Sequence, residues 1–455
     1  MAKKNYYLLS LGCSKNTVDS DSIGQLLNQS GYIGVAEAKN ADVLIVNTCG
    51  FIGPAREESI RNLRELAKKK KKGQQLIAAG CLSQLWGPRL AQAVPGLDGV
   101  IGTRRWMDMV DFIDTVRGRA KPEPLYHLPT DAVTVGQDEN GAMRTSIQGV
   151  SAYLKISDGC RRPCAFCTIP AIKGTLRSRQ PELILNEAQR LAKEGIRELI
   201  LIAQDLTDYG HDLGIKDGLA TLLKDIVKRA PQLDWVRLMY AYPGAVTDSL
   251  IDVVASEPKI VNYLDIPLQH GHPDTLRRMR RPSNIDWVYR TLEKMRHKIP
   301  DLAVRTTFIV GYPGETDAEF AALMKFTHDM QFDRVGVFTY SFEADSPSGA
   351  LPDQVPEAVK EARRDALMAA QQQISLSRNQ AMVGKTLVTL IEGHDRDGEM
   401  SYGRSYRDAP EVDGLVIVEG TAPLGEFVPV KISGGLEYDL TGTVDLQPAG
   451  LMMPA

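Results

Sequence analysis

The chain has 455 residues, of which 43% are hydrophobic and 24% charged, as in ordinary globular proteins of roughly two to four domains. Its net charge of −3 argues against a generally basic nucleic-acid binder. It has neither a signal-peptide pattern nor an apolar run of membrane-spanning length, so we expect a cytoplasmic protein without a membrane partner. Six cysteines in so long a chain favour metal binding or catalysis over disulfides.

Residues 1–130 alternate short apolar runs with helical stretches, and this pattern predicts a small parallel α/β domain. We expect its main helix at residues 55–72, ended by Gly73 as a left-handed cap. The following residues, 131–150, are polar and rich in glycine, which is typical of a linker. The strands of this first domain are predicted at residues 6–11, 42–47 and 75–79.

Residues 151–378 contain six βα units, which predict a partial (β/α)6 barrel with its site at the carboxyl ends of the strands. Residues 379–455 become short strands with frequent glycines, and these predict a small antiparallel β-barrel. The chain is therefore expected to be α/β overall. The six barrel strands are predicted at residues 152–157, 198–203, 235–240, 263–267, 304–311 and 334–340.

Cys160, Cys164 and Cys167 form a C-x3-C-x2-C pattern directly after the first predicted barrel strand. Three thiolates fill three of the four iron vertices of a cubane cluster and leave the fourth iron open. The main chemical alternative is a zinc site, which needs a fourth ligand. His270 or His272 could supply that ligand through the fold.

Cys13, Cys49 and Cys81 are far apart in sequence, but each ends a predicted strand of the first domain. The carboxyl ends of parallel strands share one edge of a sheet, so these thiols are expected to converge there. Neighbouring glycines would let a bulky group approach the backbone. Three ordinary buried thiols remain the alternative.

The spacing of the compact triplet, with Phe166 just before its last cysteine, resembles the signature of the radical S-adenosylmethionine (SAM) enzymes. With both triplets present, the chain resembles the methylthiotransferases of that superfamily over nearly its whole length. The resemblance is greatest to the branch that modifies an aspartate of small-subunit ribosomal protein twelve. Lys173 stands where arginine is more typical, and His270-Gly271-His272 also departs from the pattern. The matching segments are residues 11–16, 266–270, 305–311 and 408–414.

The resemblance implies two 4Fe–4S clusters, one on each cysteine triplet, with SAM bound at the open iron of the barrel cluster. It further implies a radical that removes a hydrogen atom from the substrate aspartate, after which sulfur and a methyl group are added at its β-carbon. A reducing electron donor such as flavodoxin and a C-terminal TRAM domain are also implied. The alternatives are a tRNA adenosine methylthiotransferase and a non-catalytic, zinc-stabilised ribosome-binding protein.

The candidates for SAM contacts lie beside the compact triplet and after the second and fifth barrel strands. For any one of them, the alternative is a loop cap, a turn glycine or a satisfied polar group. Because the catalytic chemistry belongs to the clusters, we expect no catalytic residue beyond the six cysteines. The candidates are Phe166, Gln204, Asp205, Gly311 and Glu315.

Residues 386–455 hold 12 acidic and 4 basic side chains, a formal charge of −8. A tRNA-binding module should be basic because it must neutralise phosphates. An acidic module suits a basic protein partner, so tRNA is the less expected substrate. A merely solvated acidic surface is the alternative. We also expect this module to be separable from the catalytic part.

Overall fold

The computed structural model describes residues 4–119, 123–129 and 141–445. Residues 131–140 of the predicted linker lie outside the described residues. The described chain forms a six-stranded sheet, a seven-stranded sheet with a small two-stranded ribbon, and a closed five-stranded barrel. This order confirms the predicted α/β class. No helix in the described part of the chain is long and apolar enough to cross a membrane.

The first sheet is parallel throughout, with the strand order β2-β1-β3-β4-β5-β6. Its strands are β1 Lys4–Ser10, β2 Tyr32–Gly34, β3 Val43–Thr48, β4 Gln75–Gly80, β5 Gly99–Ile101 and β6 Leu125–His127. Its helices are α1 Ser14–Gln29, α2 Gly53–Lys69, α3 Cys81–Trp86, α4 Pro88–Ala93 and α5 Met109–Arg117. The sequence predicted β1, β3 and β4 but missed three strands of three residues each. It was also wrong about the end of α2, because the cap is Lys70 and not Gly73.

The second sheet has six parallel strands in sequence order, plus one antiparallel edge strand, β7. The sheet is open, which confirms a partial barrel. Its strands are β7 Thr145–Gln148, β8 Ser151–Lys155, β11 Glu198–Ile202, β12 Trp235–Leu238, β13 Ile260–Asp265, β14 Ala303–Val310 and β15 Arg334–Thr339, with a ribbon of β9 Ser157–Asp158 and β10 Arg177–Ser178. Its helices are α6 Ile169–Lys173, α7 Pro181–Lys193, α8 Gly218–Arg229, α9 Asp248–Ser256, α10 Pro273–Arg278, α11 Ile285–Lys298, α12 Asp317–Met330 and α13 Glu357–Gln380.

Within the second half of the predicted linker, residues 145–148 form strand β7 of the second sheet. Strand β7 pairs with β8, and the side chain of Arg144 just before it is fully buried. The linker prediction is therefore wrong for this half of the segment. Polarity misled it, because the charge of Arg144 is buried in ion pairs and not solvated.

The third unit is a closed barrel in the order β16-β17-β18-β20-β19. One strand pair, β18 with β20, is parallel, so the barrel is not purely antiparallel as predicted. Strands were predicted here at residues 386–392, 415–418, 427–432 and 437–440. Strand β17 was missed, because its polar and glycine residues give no apolar alternation. The strands are β16 Thr386–His394, β17 Met400–Ser405, β18 Val416–Glu419, β19 Phe427–Gly435 and β20 Leu440–Val444.

The C-terminal barrel covers the second sheet near the amino ends of its strands. Leu390 and Ala409 of the barrel pack in one apolar cluster with Ile200, Trp235 and Val261. The opposite, carboxyl ends of the same strands carry the loop that holds Cys160, Cys164 and Cys167. The barrel thus has an apolar cluster of its own and also packs on the central unit through this shared cluster.

An ionic contact joins the same two units. Glu198 is 0% exposed and accepts hydrogen bonds from Arg237 Nε at 2.8 Å, Arg404 Nη2 at 2.5 Å and Ser151 Oγ at 2.8 Å. Burial acts to raise the pKa of Glu198, but the two guanidinium groups outweigh it and lower the pKa to about 2. Glu198 is therefore ionised, and its charge depends on both arginines.

Replacing Arg404 with methionine should destabilise the folded protein by about 3–5 kcal/mol, because it leaves buried Glu198 with one cation fewer. The measurement is urea unfolding of the metal-free full-length protein. Arg396→Met is the matched control, because Arg396 is an exposed arginine of the same barrel and should change stability by less than about 0.5 kcal/mol. Equal effects of the two substitutions would contradict a buried ionic contact between the units.

Candidate functional site

The compact cysteine triplet lies on the loop between β9 and α6, at the carboxyl end of the second sheet. Each of its sulfur atoms accepts one hydrogen bond. The Arg162 backbone N–H donates to Cys160 Sγ at 3.4 Å, the Ile169 backbone N–H donates to Cys167 Sγ at 3.4 Å, and Arg281 Nη1 donates to Cys164 Sγ at 3.6 Å. Such donors favour thiolate over thiol and tune a bound metal group.

Two arginines line this loop on the face of one tyrosine. The guanidinium carbons of Arg162 and Arg281 lie 4.2 and 4.3 Å from the centroid of the Tyr242 ring. Arg162 Nε also donates to Asp205 Oδ2 at 2.7 Å. Asp205, predicted as a direct SAM contact, therefore reaches the cysteine loop through Arg162. The contacts of these two arginines with Tyr242 and with the cysteine loop were not predicted from the sequence.

The three dispersed cysteines also meet at one sheet edge. Cys13 precedes α1, Cys49 follows β3, and Cys81 begins α3 directly after β4, and these strands are neighbours in the sheet. Gly12 has a φ of +92°, and a Cβ there would lie 2.7 Å from Cys49 Cβ. Only glycine lets the first loop approach the second this closely.

Two asparagines hold this edge together, and their structural role was not predicted from the sequence. Asn47 Nδ2 donates to the Asn16 carbonyl at 3.0 Å, and Asn16 Nδ2 donates to the Asn47 carbonyl at 3.1 Å. This reciprocal pair is buried and ties the start of α1 to the end of β3. It fixes the positions of Cys13 and Cys49, which flank it in sequence.

The cysteine-bearing edges of the two sheets are turned toward one another. The Gly53 N–H, four residues after Cys49, donates to Glu343 Oε1 at 3.1 Å, and Glu343 follows β15. Lys15 Nζ, two residues after Cys13, lies 3.1 Å from the centroid of the Tyr240 ring, just after β12. Tyr240 has a φ of +71°, a strained conformation of the kind that clusters at functional sites.

The thiols fit a cubane cluster better than a single metal ion. All six are free. In the described part of the chain, the one group of three metal-ligating atoms within 4.8 Å of each other is that of His272, Asp274 and Glu319. Neither cysteine triplet is drawn together that tightly, as one tetrahedral ion would require. In a cubane each thiolate binds a different iron, so its thiolates lie farther apart.

Each triplet nevertheless behaves as an electrostatic unit. Burial raises the pKa of Cys81 to about 12, and the charges of Cys49 and Cys13 add to this. Burial likewise raises the pKa of Cys167 to about 12, with added contributions from Cys164 and Cys160. Thiols of this kind stay protonated near neutral pH, so a metal group bound at either triplet would have to displace their protons.

In both candidate zinc histidines Nδ1 already accepts a backbone hydrogen bond, whereas the buried Nε2 of His270 has no hydrogen-bond partner among the described residues. His270 Nδ1 accepts from the His272 N–H at 2.9 Å, and His272 Nδ1 accepts from the Asp274 N–H at 3.2 Å. Glu319, beside His272, is bound by Arg278 at 3.0 and 2.7 Å. Both histidines are therefore used to hold the loop before α10.

The remaining predicted SAM contacts have differing surroundings. Gln204 Oε1 is buried and has no hydrogen-bond partner among the described residues. Phe166 packs against Met279, Tyr312 and Tyr340. Gly311 has a φ of +70°, and a Cβ there would collide with Lys360 of α13. Gly311 therefore has a packing role of its own.

Glu315 is 5% exposed at the turn after β14. Its Oε2 accepts from the Tyr312 N–H at 3.0 Å, while Arg363 Nη1 lies 3.3 Å from Oε1. Burial raises the pKa of Glu315 to about 7, and Arg363 only partly opposes this. The carboxyl group is thus a proton-binding group near neutral pH.

Comparison with known proteins defines the class. Residues 154–327 match the Radical SAM superfamily, residues 5–102 match the uncharacterized protein family UPF0004, and residues 383–444 match the TRAM domain. The radical SAM methyltransferase TsrM from Kitasatospora setae shares the fold over 76% of this chain and 77% of its own, with a TM-score of 0.53 at 13% identity. Together with the curated relatives below, these matches define a radical SAM methylthiotransferase.

Two relatives match the chain over nearly its whole length. The ribosomal protein uS12 methylthiotransferase RimO of Roseiflexus sp. (strain RS-1) is 47% identical over 98% of this chain and 98% of its own. The protein of the same name from Chloroflexus aurantiacus is 48% identical over 96% of this chain and 99% of its own. The chain belongs to the RimO family. Membership of the radical SAM superfamily implies a 4Fe–4S cluster and SAM.

The buried carboxyl group of Glu315 should make stability depend on pH. Its folded pKa of about 7 lies above its ordinary value of 4.5, so the folded state gains protons relative to the unfolded state between these pH values. Stability from this group is full below pH 4.5 and is lost as pH rises through 7. Relative to wild type, Glu315→Gln should therefore gain about 1–3 kcal/mol between pH 4.5 and 8.

The measurement is urea unfolding of metal-free wild type and Glu315→Gln at several pH values. All other titratable groups are common to these two proteins, so the difference between them reports on Glu315. Glu361→Gln is the matched control at an exposed position of α13. If Glu315→Gln instead became relatively less stable as pH rose, the ion pair with Arg363 would outweigh burial and this assignment would be wrong.

Proposed function

We propose that this protein methylthiolates an aspartate of ribosomal protein uS12, small-subunit ribosomal protein twelve, at its β-carbon. The observation that carries the proposal is full-length similarity to proteins named for that activity, at 47–48% identity. The meeting of two cysteine-bearing sheet edges supports it, because sulfur insertion needs a space that both sites can reach. The contacts of Gly53 with Glu343 and of Lys15 with Tyr240 bring the two edges together.

We propose that the thiolates of the compact triplet hold the superfamily's 4Fe–4S cluster, and that the dispersed triplet holds a second one. When bound, the clusters and SAM supply the radical and the sulfur for the reaction. Around the compact triplet, N–H groups donate hydrogen bonds to the sulfur atoms of Cys160, Cys164 and Cys167 and so stabilise their negative charge. Each cluster site would belong to its own unit, residues 1–130 and 151–378, with the TRAM unit at 379–455.

For SAM itself, we propose a position along the carboxyl ends of the second-sheet strands. The buried Oε1 of Gln204 has a free acceptor site, and Phe166 offers an aromatic face beside the cysteine loop. Asp205 would act through Arg162, which it orients. Gly311 and Glu315 would shape the pocket from the turn that they already stabilise.

The surface of the C-terminal barrel supports a basic protein partner over tRNA. Two of its four basic side chains, Arg404 and Arg407, are buried at 1% and 2% exposure, so they do not offset acidic charge at the surface. Asp397, Glu399 and Glu419 are exposed. Such a surface favours encounter with a basic protein and repels phosphates. We further propose a cytoplasmic site of action and a reducing partner such as flavodoxin.

Replacing Cys160, Cys164 and Cys167 together with alanine should halve the iron bound after anaerobic reconstitution and abolish 5′-deoxyadenosine formation. Replacing Cys13, Cys49 and Cys81 should also halve the iron but leave reductive SAM cleavage in place. Iron analysis and chromatography of the nucleoside products measure both effects. Unchanged iron in the second variant would show that the dispersed thiols hold no cluster.

The function is tested by incubating the reconstituted full-length enzyme with SAM, a reductant and either uS12 or tRNA. Mass spectrometry of uS12 should show a gain of one methylthio group at a single aspartate, and tRNA should be unchanged. The triple variant lacking the barrel cysteines is the matched control. Modification of tRNA with unmodified uS12 would favour the adenosine methylthiotransferase instead.

A further inference from the structure

Five charged side chains form one fully buried network between the two cysteine sites, with exposures of 0–3%. Asp19 lies in α1, and Arg144 lies just before β7. The other three are Lys155 at the end of β8, Asp158 in β9 and Lys173 at the end of α6. Lys155 Nζ lies 2.6 Å from Asp19 Oδ1 and 2.7 Å from Asp158 Oδ1. Lys173 Nζ lies 2.7 Å from Asp19 Oδ2 and 3.4 Å from Asp158 Oδ1. The network therefore joins the first sheet unit to the second.

The network touches both cysteine sites. Asp158 lies two residues before Cys160, and Lys173 ends the helix that follows Cys167. That helix, α6, packs against α3, whose first residue is Cys81. Lys173 Nζ also donates to Thr103 Oγ1 at 2.6 Å, and the short helix that Thr103 begins packs against α3 as well.

The network contains three basic side chains but only two carboxylates. Arg144 pairs with both aspartates, so neither carboxylate is left for Lys173 alone. Burial lowers the pKa of Lys155, but two carboxylates within 2.7 Å oppose this. An uncompensated buried cation is costly. A third negative charge would balance the network, and Cys81, whose thiolate form interacts with Lys173, would supply one once it binds a metal group.

Among the basic side chains of the network, Lys173 is the one that interacts electrostatically with Cys81. Its pKa is raised because Asp158, Asp19 and then Cys81 together outweigh the opposing effect of burial. Conversely, Lys173 is the group that most strongly opposes the burial effect on Cys81. In a water-free interior such interactions are much stronger than at a surface.

We infer that Lys173 provides the positive charge that compensates the thiolate-bound group at the N-terminal cysteine site and raises its reduction potential. This inference rests on the proposed second cluster. Reduction potentials of iron–sulfur clusters depend on net charge, hydrogen bonding and burial, and a nearby fixed cation stabilises the reduced, more negative form. Asp19, which binds the same ammonium group, acts in the opposite direction.

A purely structural role for Lys173 is the competing explanation, since the network also holds α6 against α1. The two explanations differ in sign. A structural role predicts that any loss from the network disturbs the site in the same way. The electrostatic role predicts opposite shifts for removing a cation and removing an anion.

The test uses the full-length chain with Cys160, Cys164 and Cys167 replaced by alanine, so that only the N-terminal site binds iron. Redox titration followed by electron paramagnetic resonance measures its midpoint potential. Lys173→Met should disfavour reduction about tenfold, which is a fall of about 59 mV for one electron. Lys173→Arg should keep the potential, because it keeps the charge. Asp19→Asn should raise it.

Lys155→Met is the matched control, because it removes the same charge from the same network but from a residue that contacts only the two aspartates. Its effect on the potential should be smaller than that of Lys173→Met, while thermal unfolding of the metal-free proteins should show similar losses. Two outcomes would overturn this inference while leaving the second cluster in place. One is a Lys173→Met variant that binds iron with an unchanged potential. The other is a shift of the same sign in Lys173→Met and Asp19→Asn. Absence of iron in the parent chain would overturn the second cluster and this inference with it.

Discussion

Parallel strands end at a common edge, and both cysteine sites depend on this constraint. In the first sheet it gathers thiols that are separated by more than thirty residues each, because β1, β3 and β4 are neighbours. In the second sheet it places the compact triplet where loops from six strands can surround it. The contacts of Gly53 and Lys15 then turn one edge toward the other. The proximity of the two cysteine-bearing edges therefore follows from the two sheets together with these contacts.

Buried ion pairs join the three units at both ends of the central sheet. Around Asp19 they link the first sheet to the second near the cysteines, and around Glu198 they link the second sheet to the closed barrel. Buried pairs add little net stability compared with apolar packing, but they tolerate few alternative arrangements because an unpaired buried charge is so costly. We therefore interpret both networks as devices that fix the relative positions of the units.

The sequence predicted the elements whose apolar runs are long enough to be distinctive. All six parallel strands of the central sheet were found, as were the strands that end at Cys13, Cys49 and Cys81. Strands of three residues, such as Tyr32–Gly34, carry too few side chains to show a period. Arg144 and Lys155 were missed for another reason. A charged residue looks solvated in a sequence, and only its partners from distant segments make burial possible.

The position of Lys173 shows how a departure in sequence can become informative once partners are known. From the sequence, Lys173 was only a lysine at a position where arginine is more typical. In the structure its single ammonium group is shared by Asp19, Asp158 and Thr103. A lysine concentrates its charge on one atom, whereas an arginine spreads charge over a planar fork that needs more room and more acceptors. A crowded site between two carboxylates therefore suits lysine, and its charge lies where it interacts with Cys81 as well as with both aspartates.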